Sequence, residues 1–302
     1  MARLFDAYIM VDWSSAAKPA TGPNSVWIGV MKRDARFRPT FEAYNPATRR
    51  EAEKQIRDVL ADLRRRSERA LIGFDFALGY PRGTAARLGV SPPDWSGVWT
   101  FLSKAVVDKA DNTNNRAGVA GRMNRLISEG PRPFWGAPRA ADASTTLSKT
   151  KPADHLAGLP EFRHAEAATR GLGKAGAKTV WQISGAGTVG GQTLVGIPAA
   201  KRLRDELGER AKVWPFETGW KALTREDVDG LAAVIVEIYP ALAPAPADAG
   251  EVADRAQVRA QCEMFARLDD RGQLGKAFGP KAGVDEGTTA AAETEEGWIL
   301  GA

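Results

Sequence analysis

Ala7-Tyr8-Ile9-Met10-Val11 runs without a break into Asp12, and the pattern returns twice, with Ala70-Leu71-Ile72-Gly73-Phe74 ending on Asp75 and Val234-Ile235-Val236 ending on Glu237. Short apolar runs bounded by turn residues read as strands buried on both faces, as in a mainly parallel sheet. An ionised carboxylate in such a strand is costly unless it is paired, hydrogen-bonded or bound to a metal. In open α/β sheets, ligands bind beyond the carboxyl ends of the strands, which is where these acids fall. The three acids therefore predict a shared site, with a metal ion as its first candidate occupant.

Working outward, Asp12 is followed by the polar turn Trp13 to Pro19. A second strand is expected around Val26 to Val30 and a third over Phe37 to Tyr44, so that the first three strands form an antiparallel meander. Asn45-Pro46 reads as the N-cap and first residue of a helix, with Ile56, Val59, Leu60 and Leu63 as its apolar stripe. Arg64-Arg65-Arg66 at its end suits the helix dipole and needs no nucleic acid to explain it. After Tyr80-Pro81 the pattern loosens into a Gly/Pro- and Arg-rich insertion, about 82–179, with a helix expected over Val98 to Val107. Such segments often form lids or grip substrates, and this one is expected to be partly mobile near the mouth of the site. Regularity returns at Val180-Trp181-Gln182-Ile183, a possible strand, followed by a helix from Pro198 to about Gly208, a strand at Val213 to Phe216, the Glu237 strand over Leu231 to Tyr239, and a long helix from Asp254 to Leu268. On this last helix Val258, Cys262 and Phe265 share a stripe. The whole chain, 1–302, reads as one α/β domain.

Composition narrows the chemistry. The single cysteine, Cys262, excludes an internal disulfide and a cysteine-rich zinc site. The two histidines, His155 and His164, leave little room for a histidine base, and His164 lies in what reads as a solvated polar helix. Oxygen-ligated Mg²⁺ or Mn²⁺ is the metal this residue set favours. Nothing approaches the roughly 18 apolar residues of a membrane span, and Asp6 interrupts the N-terminus too early for a signal peptide. A cytoplasmic protein with no membrane partner is expected. Net charge is +5, concentrated between residues 112 and 153, where Arg116, Arg122, Arg125, Arg132, Arg139, Lys149 and Lys151 face only Glu129 and Asp142. That patch reads either as a solvated surface or as a track for a phosphate backbone.

Gly185-Ala186-Gly187-Thr188-Val189-Gly190 matches the dinucleotide fingerprint. The motif works when a helix starts inside it and presents its N-terminus to a pyrophosphate. Pro198 would then lie inside that helix, at a cost of about 3 kcal/mol, and Glu217 lies 27 positions past Gly190 where the motif asks for about 20. A glycine loop lining a substrate cleft is the reading favoured here.

The order of elements, three strands, a helix, an acid-bearing fourth strand, an insertion, an acid-bearing fifth strand and a closing helix, resembles the ribonuclease H-like fold. More narrowly, the chain looks like an uncharacterised family described as predicted nucleases of that fold, through Val11-Asp12-Trp13-Ser14-Ser15, Gly73-Phe74-Asp75-Phe76-Ala77-Leu78-Gly79-Tyr80-Pro81, Gly191 to Pro198, Trp214-Pro215-Phe216-Glu217-Thr218-Gly219, Val236-Glu237-Ile238-Tyr239-Pro240 and Glu296-Gly297-Trp298-Ile299. The resemblance implies an α/β ribonuclease H-like mixed sheet with a large insertion after strand four. It implies a divalent-metal-dependent nuclease or phosphoester hydrolase using Mg²⁺ or Mn²⁺, with nucleic acid or a small phosphoester as partner. By position in that fold the ion-holding acids map to Asp12, Asp75 and Asp254, with Glu237 as an extra ligand or supporting partner. Asp254 competes with an N-cap role; Glu263 is a reserve candidate, and Asp269 and Asp270 are expected to be exposed at the far end of the helix. Two other readings stay open, a nucleotide-binding phosphotransferase of the actin and sugar-kinase type, and a non-catalytic nucleic-acid-binding module.

Overall fold

The computed structural model describes residues 3–171 and 176–302. Six strands form one mixed sheet in the order β3-β2-β1-β4-β6-β5: β1 Ala7–Asp12, β2 Trp27–Arg33, β3 Pro39–Tyr44, β4 Ala70–Phe74, β5 Ala211–Val213 and β6 Ala233–Glu237. The β1-β2 and β2-β3 pairs are antiparallel, while β1-β4, β4-β6 and β5-β6 are parallel. The expected meander followed by parallel strands is present, with the short β5 added outside the strand that carries Glu237.

The strand pleat sends alternate residues into two cores. Ile9, Val11, Ile28, Val30, Ile72 and Phe74 meet helix α1, Arg49–Arg65, through Ile56, Leu60 and Leu63. Tyr8, Met10, Leu71, Val234 and Val236 meet helix α7, Ala253–Asp270, through Val258, Cys262 and Phe265. Gly29 lets α7 cross β2 closely, since a Cβ there would lie 3.0 Å from the Cβ of Val258. Helix α1 starts later than Asn45-Pro46 suggested. Thr48 is its N-cap, in a reciprocal capping box with Glu51, while Asn45 folds back onto Ser25 and Val26.

The insertion is more ordered than expected. It carries α2, Thr84–Leu88, α3, Trp95–Ala105, α4, Arg116–Ser128, and α5, His164–Gly171. Val98, Trp99, Leu102, Val119, Met123 and Phe134 join the same core as α1; its residues 172–175 lie outside the described residues. The next helix, α6, spans Gly190–Leu207 with Pro198 in its interior, not at its start. Most of α6 is buried, and tertiary packing there outweighs the penalty for an internal proline. Among the described residues, no helix is long and apolar enough to cross a membrane.

Candidate functional site

The register of β1 and β4 decides the site. Val11 pairs with Phe74, so the chains leave the sheet side by side at Asp12 and Asp75. Asp12 has the parity of Tyr8 and Met10, and Asp75 that of Leu71 and Gly73, so both point to the α7 side. The ladder continues one step further: the Asp75 amide donates to the Val11 carbonyl at 3.1 Å, and the Trp13 amide donates to Asp75 Oδ1 at 2.7 Å. Each of the two carboxyl groups perturbs the ionisation of the other. Burial, followed by the charges of Asp75 and Asp254, raises the pKa of Asp12 well above the carboxylate range. Burial pushes Asp75 up to about 7, against the lowering effect of the Trp13 amide. The pair shares a proton that two isolated aspartates would have lost.

Asp254 lines the same cleft, whose volume is ≈ 720 Å³. It is not the N-cap of α7: Val252 holds that place, and Asp254 sits in the first turn, where the helix dipole favours an anion. Its Oδ2 accepts from the Asn24 amide at 2.6 Å, in the loop between β1 and β2.

Glu237 is placed differently. It pairs with Phe74, not with Asp75, so the pleat turns it toward the opposite face. It is 4% exposed and held by Arg163, with Nη1 to Oε2 at 2.8 Å and Nη2 to Oε1 at 2.6 Å. Arg163 is also bound to Glu166, at 2.8 Å through Nε and 2.5 Å through Nη2. Burial raises the pKa of Glu166, opposed by the Arg163 charge. This buried Glu166-Arg163-Glu237 triad pins the insertion to the end of β6. His164 beside it is not simply solvated, since its Nδ1 lies 2.8 Å from Oε2 of the buried Glu296.

The remaining acids of α7 stand apart from the cleft. Glu263 faces Arg259 and Arg267. Asp269 is 1% exposed, contrary to expectation, because it accepts from the Leu4 and Phe5 amides and the Tyr8 hydroxyl and so anchors the N-terminal segment. Asp270 is paired with Arg33.

Two supports lay beyond the sequence reading. Arg49, at the start of α1, is buried and holds Asp108 through two bonds, at 2.6 and 2.5 Å, while also donating to the carbonyls of Ser14 and Ala16. It ties the loop after Asp12 to the insertion, helped by the buried Asn112, which accepts from the Arg49 amide at 2.9 Å. Gln192 in the first turn of α6 donates to the Trp13 carbonyl. The only hint in the sequence was the density of Asn and Asp at 111–115, which reads as an ordinary turn.

Among the described residues, no three His, Cys, Asp or Glu side chains form a ready-made metal cage. The Asp12-Asp75 pair nevertheless suits a hard cation. Its contacting oxygens carry charge that a proton or a cation must offset, and Mg²⁺ is commonly held by one or two carboxylates with water completing its shell. Comparison with protein-family models, curated proteins and solved structures finds no match for the chain.

Proposed function

We propose that this protein is a divalent-metal-dependent phosphoester hydrolase, a nuclease in its most specific form, built on a ribonuclease H-like sheet. The observation that carries the reading is that Asp12 and Asp75 stand side by side at the ends of adjacent parallel strands and line one open cleft. The strand order β3-β2-β1-β4-β6 and the α7 helix across β1 and β2 support the fold assignment. Asp12 and Asp75 would hold Mg²⁺ or Mn²⁺, with Asp254 as the third acid of the cleft. When bound, such a cation supplies Lewis acidity toward a phosphoryl oxygen and lowers the pKa of a water molecule.

The chain's own residues prepare the site for that role. The Trp13 amide and the β1-β4 ladder fix the direction of Asp75. Arg49 fixes the turn that follows Asp12. The Arg163 triad neutralises part of the acidic charge along the cleft wall without drawing on the aspartate pair.

A generic phosphodiester, bis(p-nitrophenyl) phosphate, tests the proposal together with single-stranded oligonucleotides. Hydrolysis that requires Mn²⁺ or Mg²⁺ and is lost in both Asp12→Asn and Asp75→Asn is expected. Cation-independent hydrolysis, or activity retained in both folded variants, would overturn it.

A further inference from the structure

Arg116 stands out among the cations of the cleft: it is partly buried and, among the described residues, has no counter-ion. Arg163 is committed to Glu166 and Glu237, and Lys178 is exposed and donates to the Ala186 carbonyl at 2.6 Å. Arg116, the first residue of α4, lines the cleft wall. Among the described residues, no carboxylate lies within ion-pairing distance of it. Its one side-chain partner is the Asn114 amide oxygen, 2.9 Å from Nη1, and its Nε is buried with no partner at all. The charges that act on it are those of Arg49 and Arg139, opposed by Asp142 and Asp108, none of them in contact with it. A cation drawn partly out of water in this way is costly unless an anion offsets it.

What surrounds Arg116 suits an oxyanion. A Cβ on Gly191 would lie 2.5 Å from the Ile183 carbonyl oxygen, 3.0 Å from Ser15 Oγ and 3.3 Å from Arg116 Nε, so two donor groups and one carbonyl converge on the backbone at the start of α6. No acceptor among the described residues takes the Gly191 and Gln192 amides, and none takes the Ser15 hydroxyl. Ser15 is three residues past Asp12 on the turn that Arg49 holds, so the cluster adjoins the aspartate pair in the same cleft.

We infer that Arg116 is the substrate-anchoring residue of this cleft, binding the non-bridging oxygens of a phosphoryl group with the help of the Ser15 hydroxyl. Guanidinium suits this task because it presents paired donors to two oxygens of one phosphate. The inference rests on the proposed function for the identity of the substrate, but it makes a claim about anion binding that needs neither metal nor turnover.

Inorganic phosphate titrated by calorimetry into the metal-free protein is the test, with thermal denaturation run on the same samples. Arg116→Met should weaken phosphate binding about 10- to 100-fold, and Arg116→Lys should recover only part of it, because a point charge cannot replace the fork. The melting temperature of the phosphate-free Arg116→Met protein should equal or exceed that of the unsubstituted protein, since an uncompensated charge has been removed. Phosphate affinity unchanged in Arg116→Met would overturn the inference. So would a variant that melts well below the unsubstituted protein, which would mark Arg116 as a structural residue. A protein that binds phosphate through Arg116 but hydrolyses no phosphoester would retain this inference and lose the proposed function.

Discussion

Replacing Asp12 by asparagine should stabilise the metal-free protein at alkaline pH, although it removes a residue of the proposed active site. The native Asp12-Asp75 pair keeps a proton that the unfolded chain releases in the ordinary aspartate range. Stability linked to the Asp12 proton is fully present below about pH 4 and is lost as pH rises toward its raised native value. Each pH unit of that rise corresponds to about 1.4 kcal/mol. The cleft is open to water, and solvent screening lowers the expected effect to roughly 1–3 kcal/mol. An asparagine at position 12 donates the hydrogen bond that the protonated acid donates and does not titrate. Asp12→Asn should therefore melt roughly 2–10 °C above the unsubstituted protein at pH 8. The two should converge near pH 4, where both native acids are protonated. The assay is thermal denaturation in chelator from pH 4 to 8. A variant less stable at pH 8, or one offset by the same amount at every pH, would refute the argument that the two carboxyl groups share a proton.

Glu237→Gln should cost about 3–5 kcal/mol in urea denaturation, because it leaves Arg163 short of charge in a buried triad; a cost below 1 kcal/mol would contradict the structural role assigned to Glu237. Gly196→Ala should destabilise by about 1–3 kcal/mol or more, since its Cβ would lie 2.5 Å from the Phe76 ring, and a variant with unchanged melting temperature would show that α6 does not pack this closely on Phe76.

The sheet was legible where one strand carries its own signal. The runs ending at Asp12 and Asp75 are apolar throughout, and the strands they mark are neighbours whose acids share a face. Glu237 looks identical in sequence, but its orientation depends on pairing with Phe74 across the sheet, a register that no single strand records. Asp254 was singled out by its place in the chain, and of its two readings the N-cap falls away because Val252 caps the helix. Pro198 was misplaced for an energetic reason: the local penalty is real, but α6 buries enough surface to sustain it. With the helix beginning at Gly190, the glycine stretch does lead into a helix N-terminus beside the cleft. The Val180 to Ile183 segment makes only an isolated bridge with Trp135, so it is not the strand that a dinucleotide fold requires. Arg49, Arg116 and Arg163 stayed hidden because a long charged side chain looks the same in sequence whether it reaches water or a buried partner.

The central claim is that Asp12 and Asp75 hold a divalent cation for work on a phosphoester. Anomalous diffraction from crystals soaked in Mn²⁺ near pH 8 tests it most directly. A peak within coordinating distance of both carboxylates is expected, absent from Asp12→Asn crystals soaked in the same way. Ordered crystals with no peak at the pair, or a peak that persists in Asp12→Asn, would contradict it.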